Sequence, residues 1–148
     1  DELDALFNKR SGMMGMTGFG DLREVHRLVA EGNEDAKLAL DVYVHRIVGY
    51  IGNYTAQMGG VDVITFTAGV GENDDVVRKM VCDKLAPFGV KLDEEKNATR
   101  SKEPRIISTP DSKITICVIP TNEELAIARK SAAIAEAGED TYGNVFSK

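Results

Sequence analysis

Glycine, acid and amide side chains crowd into one short stretch of this chain, Gly69, Val70, Gly71, Glu72 and Asn73. Two glycines one residue apart permit a turn that a ligand or another backbone can approach closely. A second acid of interest, Glu123, lies in Thr121-Asn122-Glu123-Glu124. Thr121 and Glu124 have the spacing of a capping box, which gives Glu124 a structural task and leaves Glu123 uncommitted. Such a carboxylate either favours the helix dipole or holds a magnesium ion, usually through waters. Missing residues narrow what the turn can bind. There is no G-x-x-x-x-G-K-[ST], so no P-loop, and Asp74 stands where a dinucleotide fingerprint needs its third glycine. Asp74 and Asp75, at the start of the next helix, would oppose a phosphate sitting on that terminus. The turn suits a neutral, flat group such as an adenosine better than a triphosphate. On spacing alone, a strand-to-helix turn with no ligand stays open.

The elements around these residues must position them. Val61, Val63, Ile64 and Phe66 read as a buried strand over 61–67, with Asn73 as N-cap of a helix carrying Val76, Val77, Met80, Val81 and Leu85. Residues 113–119 (KITICVI) read as a second strand, ended by Pro120. Alternation of strand and helix makes the class α/β, with strands near 61–67 and 114–119 paired in parallel. Ligands bind at the carboxyl ends of such strands, where the 69–73 turn and Glu123 both fall. Asn33 opens a long helix over about 33–58, whose apolar stripe (Ala36, Leu40, Tyr43, Ile47, Tyr50, Tyr54, Met58) is wide enough to need two neighbours. Asp21 can cap a short helix before it. Residues 11–23 hold Gly12, Gly15, Gly18 and Gly20 among methionines, and are expected to form a buried or half-buried loop. Residues 105–108 read as a short strand. Leu125, Ala128, Ala132 and Ala135 give the last helix a small-residue packing face, and the residues from Gly138 onward read as a frayed tail.

Composition sets outer limits. The 148 residues carry a formal net charge of −6 and are 43% hydrophobic. That balance gives no electrostatic case for a nucleic acid or an anionic membrane, and no apolar run is long enough to span a bilayer. His26 and His45 have no metal-spaced partner and read as surface or helix-packing residues. Cys82 and Cys117 sit among apolar neighbours and read as buried thiols, in keeping with a reducing cytoplasm. The chain reads as one domain over 1–148, and its start at Asp1 suggests a piece of something longer.

Four blocks carry a resemblance: NKRSGMMGMTGFGDLR (8–23), FTAGVGEN (66–73), ISTPDSK (107–113) and IPTNEELAIAR (119–129). In this order they resemble the acetate kinase family, within the superfamily of acetate and sugar kinases, heat-shock chaperones and actin. The resemblance implies part of an actin-like ATPase domain of ribonuclease H-like fold. It further implies phosphoryl transfer between ATP and acetate, giving acetyl phosphate and ADP with magnesium, in a cytoplasmic homodimer. Residue by residue, Gly69, Val70 and Asn73, with Gly71 and Glu72 between them, match the adenine-pocket loop. Asp21, Leu22 and Arg23 match a segment that also lines the nucleotide site, with Leu22 where the family often has an aromatic. Glu123 matches the glutamate associated with magnesium. The family's acetate pocket and its phosphoryl-stabilising side chains would lie upstream of Asp1, so the chain alone is expected to be inactive. Related propionate or butyrate kinases, and a non-catalytic dimerisation module, are the competing readings. A dehydrogenase is excluded by the missing third glycine and the lack of an acidic residue to hold a ribose.

Overall fold

The computed structural model describes residues 2–137. Helices α1 (Glu2–Lys9), α2 (Gly12–Thr17), α3 (Leu22–Ala30) and α4 (Glu34–Met58) come first. Strand β1 (Val63–Phe66) leads through α5 (Ala68–Asn73) into α6 (Asp75–Leu85). A 3-10 turn (Ala86–Phe88), α7 (Glu94–Ala98), β2 (Arg105–Ile106), β3 (Thr115–Val118) and α8 (Glu123–Ala137) complete the order. The expected tail from residue 138 onward lies outside the described residues.

The three strands form one sheet in the order β1-β3-β2. β1 and β3 are parallel as expected, with Phe66 opposite Val118, while β2 runs antiparallel to β3. This small mixed sheet among helices fits a partial α/β actin-like domain. Both paired strands are shorter than the residues of strand type around them. Ile107, Ile114, Ile116 and Val118 meet Val77, Val81 and Leu85 of α6 and Leu40 and Val44 of α4 in one core.

Sequence punctuation explains most helix ends. Asp21 accepts the Arg23 N–H and starts α3, and Asn33 accepts the Ala36 N–H and starts α4. Gly59, at φ 74°, closes α4 in the left-handed region. Pro87 falls in the 3-10 turn that ends α6.

Four expectations need correction. Residues 12–17 are helical, because Gly12 is the first residue and Gly18 the C-cap, at φ 59° and 77°, which leaves Gly15 as the one glycine in the helix interior. Nor is this stretch buried as a whole: Met13 packs on the core, whereas Met14, Met16 and Phe19 are exposed. β1 is not buried on both faces. Val63 is 52% exposed, and Thr65 on the same face is exposed too, because only the face bearing Ile64 and Phe66 packs on the core. Only part of the broad α4 stripe is covered: Ala36, Leu40 and Val44 are buried, while Tyr50, Tyr54 and Met58 face outward. The alanine face of α8 is likewise uncovered by any described residue, with Leu125, Ala128, Ala132 and Ala135 all exposed.

Candidate functional site

β1 ends at Phe66, and the backbone turns sharply at Ala68, whose φ of 58° is unusual for a residue with a Cβ. Such strain, about 1–3 kcal/mol, persists only where the surroundings hold it. The glycine turn is therefore a six-residue helix, α5, and not an open loop. Gly71 sits against the strand: a Cβ there would meet the Phe66 carbonyl carbon at 3.1 Å. Asn73 is not the N-cap of the following helix, as sequence suggested. Its amide turns back to donate to the Gly69 carbonyl at 2.8 Å, and Asp74 caps α6 by accepting the Val77 N–H. Either residue type can cap; the short α5 uses up Asn73 and moves the cap along by one.

Arg78 holds α5 from beneath. It is 2% exposed, and its Nη1 donates to the carbonyls of Gly71 (3.0 Å) and Glu72 (2.9 Å). Nε and Nη2 donate to Asn97 Oδ1 (2.7 Å) and the Asn97 carbonyl (2.6 Å). The guanidinium thus satisfies carbonyls that a helix end leaves unpaired. Its pKa is lowered, first by burial and then by the nearby charge of Arg105.

Glu72 joins the two loops that follow the parallel strands. Its carboxylate accepts the Thr121 N–H at 2.8 Å and the Thr121 hydroxyl at 3.1 Å. The Thr121 backbone bond is the main cause of its lowered pKa. The expected Thr121–Glu124 capping box does not form, because Thr121 is drawn to this carboxylate. Asn122 caps α8 instead, accepting the Leu125 N–H at 2.9 Å. Glu123, at the start of α8, is exposed and bonds to no described residue.

Opposite α5 stands the start of α3. Asp21 is both its N-cap and the partner of Arg23, whose Nε and Nη2 donate to the carboxylate at 2.5–3.1 Å. The guanidinium lowers the Asp21 pKa to about 2. The pair is exposed and screened by solvent, so it shapes the rim more than it stabilises the fold.

Between these walls lies an open cleft of about 1000 Å³. Asp21, Leu22 and Arg23 line one side, and Gly69, Val70 and Asn73 the other. Gly71 and Glu72 do not line it: the first packs on β1 and the second turns toward Thr121. Glu123 does not line it either, but follows two residues after the Thr121 tether. Sequence reasoning passed over several contributors, Arg100 among them. His26 and Asp74 line the cleft and are hydrogen-bonded at 2.7 Å, and Tyr43 reaches it from α4. Leu22 and His26, four apart on α3, share a helix face, yet nothing in the sequence couples residues 26 and 74.

Among the described residues, no group of three His, Cys, Asp or Glu side chains could cage a metal. Magnesium rarely needs such a cage, binding through one or two carboxylates, waters and substrate phosphates. Asp21, Glu72 and Asp74 are engaged by Arg23, Thr121 and His26. Asp75 also lines the cleft, whereas Glu123 stands outside it at the start of α8. No helix among the described residues is long and apolar enough to cross a membrane.

Comparison with known proteins bears on this geometry. An acetate kinase of Leifsonia xyli subsp. xyli is 52% identical over 138 residues, covering 93% of this chain and 35% of that protein. One from Desulfotalea psychrophila is 53% identical over 137 residues, covering 93% and 34%. The crystal structure of Porphyromonas gingivalis acetate kinase superposes with a TM-score of 0.80 at 42% identity, over 90% of this chain and 34% of that one. A propionate kinase from Francisella tularensis subsp. tularensis SCHU S4 gives 0.77 at 39% identity, over 86% and 32%. The chain therefore spans about a third of the length of these relatives. The acetokinase family model matches residues 1–129, and with these likenesses it shows that the chain belongs to the acetokinase family.

Proposed function

We propose that the cleft between α3 and α5 binds the nucleoside part of ATP or ADP, and that the chain is the carboxyl-terminal nucleotide-binding and dimerisation part of an acetate kinase. The whole enzyme would transfer a phosphoryl group between ATP and acetate, giving acetyl phosphate and ADP, with magnesium and in the cytoplasm. One observation carries this reading: residues 21–23 and residues 69, 70 and 73, far apart in sequence, line the same cleft. Leu22 and Val70 offer apolar contact for a base. The adjoining backbone and Asn73 offer polar groups for its edge or a ribose. Glu123 would meet the metal that accompanies the phosphates, supplying charge neutralisation when bound. The outward stripe of Tyr50, Tyr54 and Met58 on α4 and the alanine face of α8 support a homodimer.

Titrating ATP with magnesium into the purified chain tests the site. Asn73→Ala is expected to weaken binding by roughly tenfold, since it removes both a polar contact and the bond to Gly69. Glu123→Ala should chiefly reduce the dependence on magnesium. Equal ATP affinity in wild type and Asn73→Ala would overturn this placement of the nucleotide.

Phosphoryl transfer is catalysed by positioning and charge neutralisation around the moving group. Arg23 and Arg100 line the cleft, but Arg23 is committed to Asp21. Spanning only about a third of its relatives' length, the chain alone is expected to form no acetyl phosphate above background in a hydroxamate assay. Sustained turnover would sink that expectation. The likeness to a propionate kinase favours a second reading, a kinase for another short-chain acid, propionate or butyrate. Nothing in this cleft contacts an acyl group, so turnover of the longer enzyme on each acid separates the two.

A further inference from the structure

The cleft has two walls, and three anchors hold the wall built by residues 69–74. Arg78 fastens the carbonyls of Gly71 and Glu72, and Glu72 fastens to Thr121. Both tie the wall to its own side of the sheet. The third anchor, His26 to Asp74, joins side chains 48 positions apart and crosses to α3. Among the described residues it is the one hydrogen bond between α3 and residues 68–75. Asp74 uses its two oxygens separately. Oδ1 accepts the Val77 N–H at 2.9 Å and Oδ2 faces His26 Nε2 at 2.7 Å. The side chains are shielded, at 26% exposure for His26 and 12% for Asp74. Tyr43 lines the same corner from α4, its phenol pKa raised by burial and by the Asp74 charge.

We propose that the His26–Asp74 pair is a positioning latch, which sets the spacing between the Asp21–Leu22–Arg23 wall and the Gly69–Asn73 wall and thereby tunes affinity for the nucleotide. The second half rests on the nucleotide reading above; the latch itself does not. With its proton on Nε2, the imidazole donates to the carboxylate whether it carries one proton or two. The role is therefore geometric. His26 need touch no ligand: α5 begins at the strained Ala68 and is too short to hold its own orientation. Without the latch, the sheet-side anchors keep the wall attached but leave its distance from α3 to packing alone.

The test uses the 148-residue chain with His26→Leu, Asp74→Ser, their combination, and His26→Gln. Serine keeps an N-cap for α6 but cannot reach His26, and the glutamine amide can still donate to Asp74. Amide hydrogen exchange over residues 21–26 and 68–75 reads the latch without ligand. An ATP titration reads its consequence. His26→Leu and Asp74→Ser are each expected to speed exchange and weaken ATP by about tenfold, the scale of one hydrogen bond to a charged group. The double variant should be no worse than either, and His26→Gln should recover most of the loss. Unchanged exchange in both single variants overturns the latch. Faster exchange with unaltered ATP affinity also overturns the proposal, because the latch would then not position the ligand. If the wild type binds no ATP, the nucleotide reading fails, while the exchange measurement still decides whether the latch exists.

Discussion

Arg78→Ala is expected to destabilise the chain by about 3–5 kcal/mol, measured as a shift in denaturant midpoint at constant slope. The figure follows from what the side chain does. Arg78 is a buried cation that donates to four oxygens on two separate segments. Bonds from a charged donor contribute about 1.5–3 kcal/mol each, but four sharing one guanidinium are not additive. Removal also leaves the Gly71 and Glu72 carbonyls and the Asn97 side chain short of partners in a shielded place. Arg78→Lys should rescue little, since an ammonium cannot span two carbonyls and an amide as a planar fork does. A loss below about 1 kcal/mol would mean that solvent reaches these groups and that α5 holds without the arginine.

Ile116→Ala carries the second large effect, an expected loss of about 3 kcal/mol by the same measurement. Ile116 is fully buried at the centre of β3, opposite Ile64 of β1. Its N–H donates to Ser108 Oγ at 3.0 Å and its carbonyl accepts the Ile107 N–H at 2.8 Å, so the backbone resists collapsing into the space left behind. A cavity then remains, and its cost adds to the lost transfer energy. Against a typical domain stability of about 5–15 kcal/mol this is a large fraction. The strand pairing at stake brings the 69–73 and 119–123 segments together. Ile116→Val should cost only about 1 kcal/mol. An alanine variant as stable as wild type would show that the core repacks around the gap.

Part of the fold was legible from local chemistry. Asp21 and Asn33 cap the helices their types foretold, since a cap is a bond to a backbone N–H two or three residues away. Parallel pairing of the two strands followed from a helix-bearing crossover between them. Where sequence reasoning went astray, a long-range partner outcompeted a local one. Thr121 had a sound capping-box partner in Glu124, yet bonds to Glu72, 49 residues away. Asn73 was a sound N-cap, yet α5 formed and left that task to Asp74. The glycines at 12 and 18 looked like helix breakers but act as helix boundaries, and only the count inside the helix matters.

By itself the sequence determined the family, the α/β alternation and the starts of α3 and α4 at Asp21 and Asn33. Each of these is written in neighbouring residues, through capping, periodicity or a contiguous motif. Only the tertiary structure decided that His26 meets Asp74, that Arg78 carries α5 from below and that Glu72 ties one loop to the next. Those contacts join residues up to 49 positions apart. They exist because the β1–β3 register and the packing of α3, α4 and α6 bring side chains together that no local rule connects.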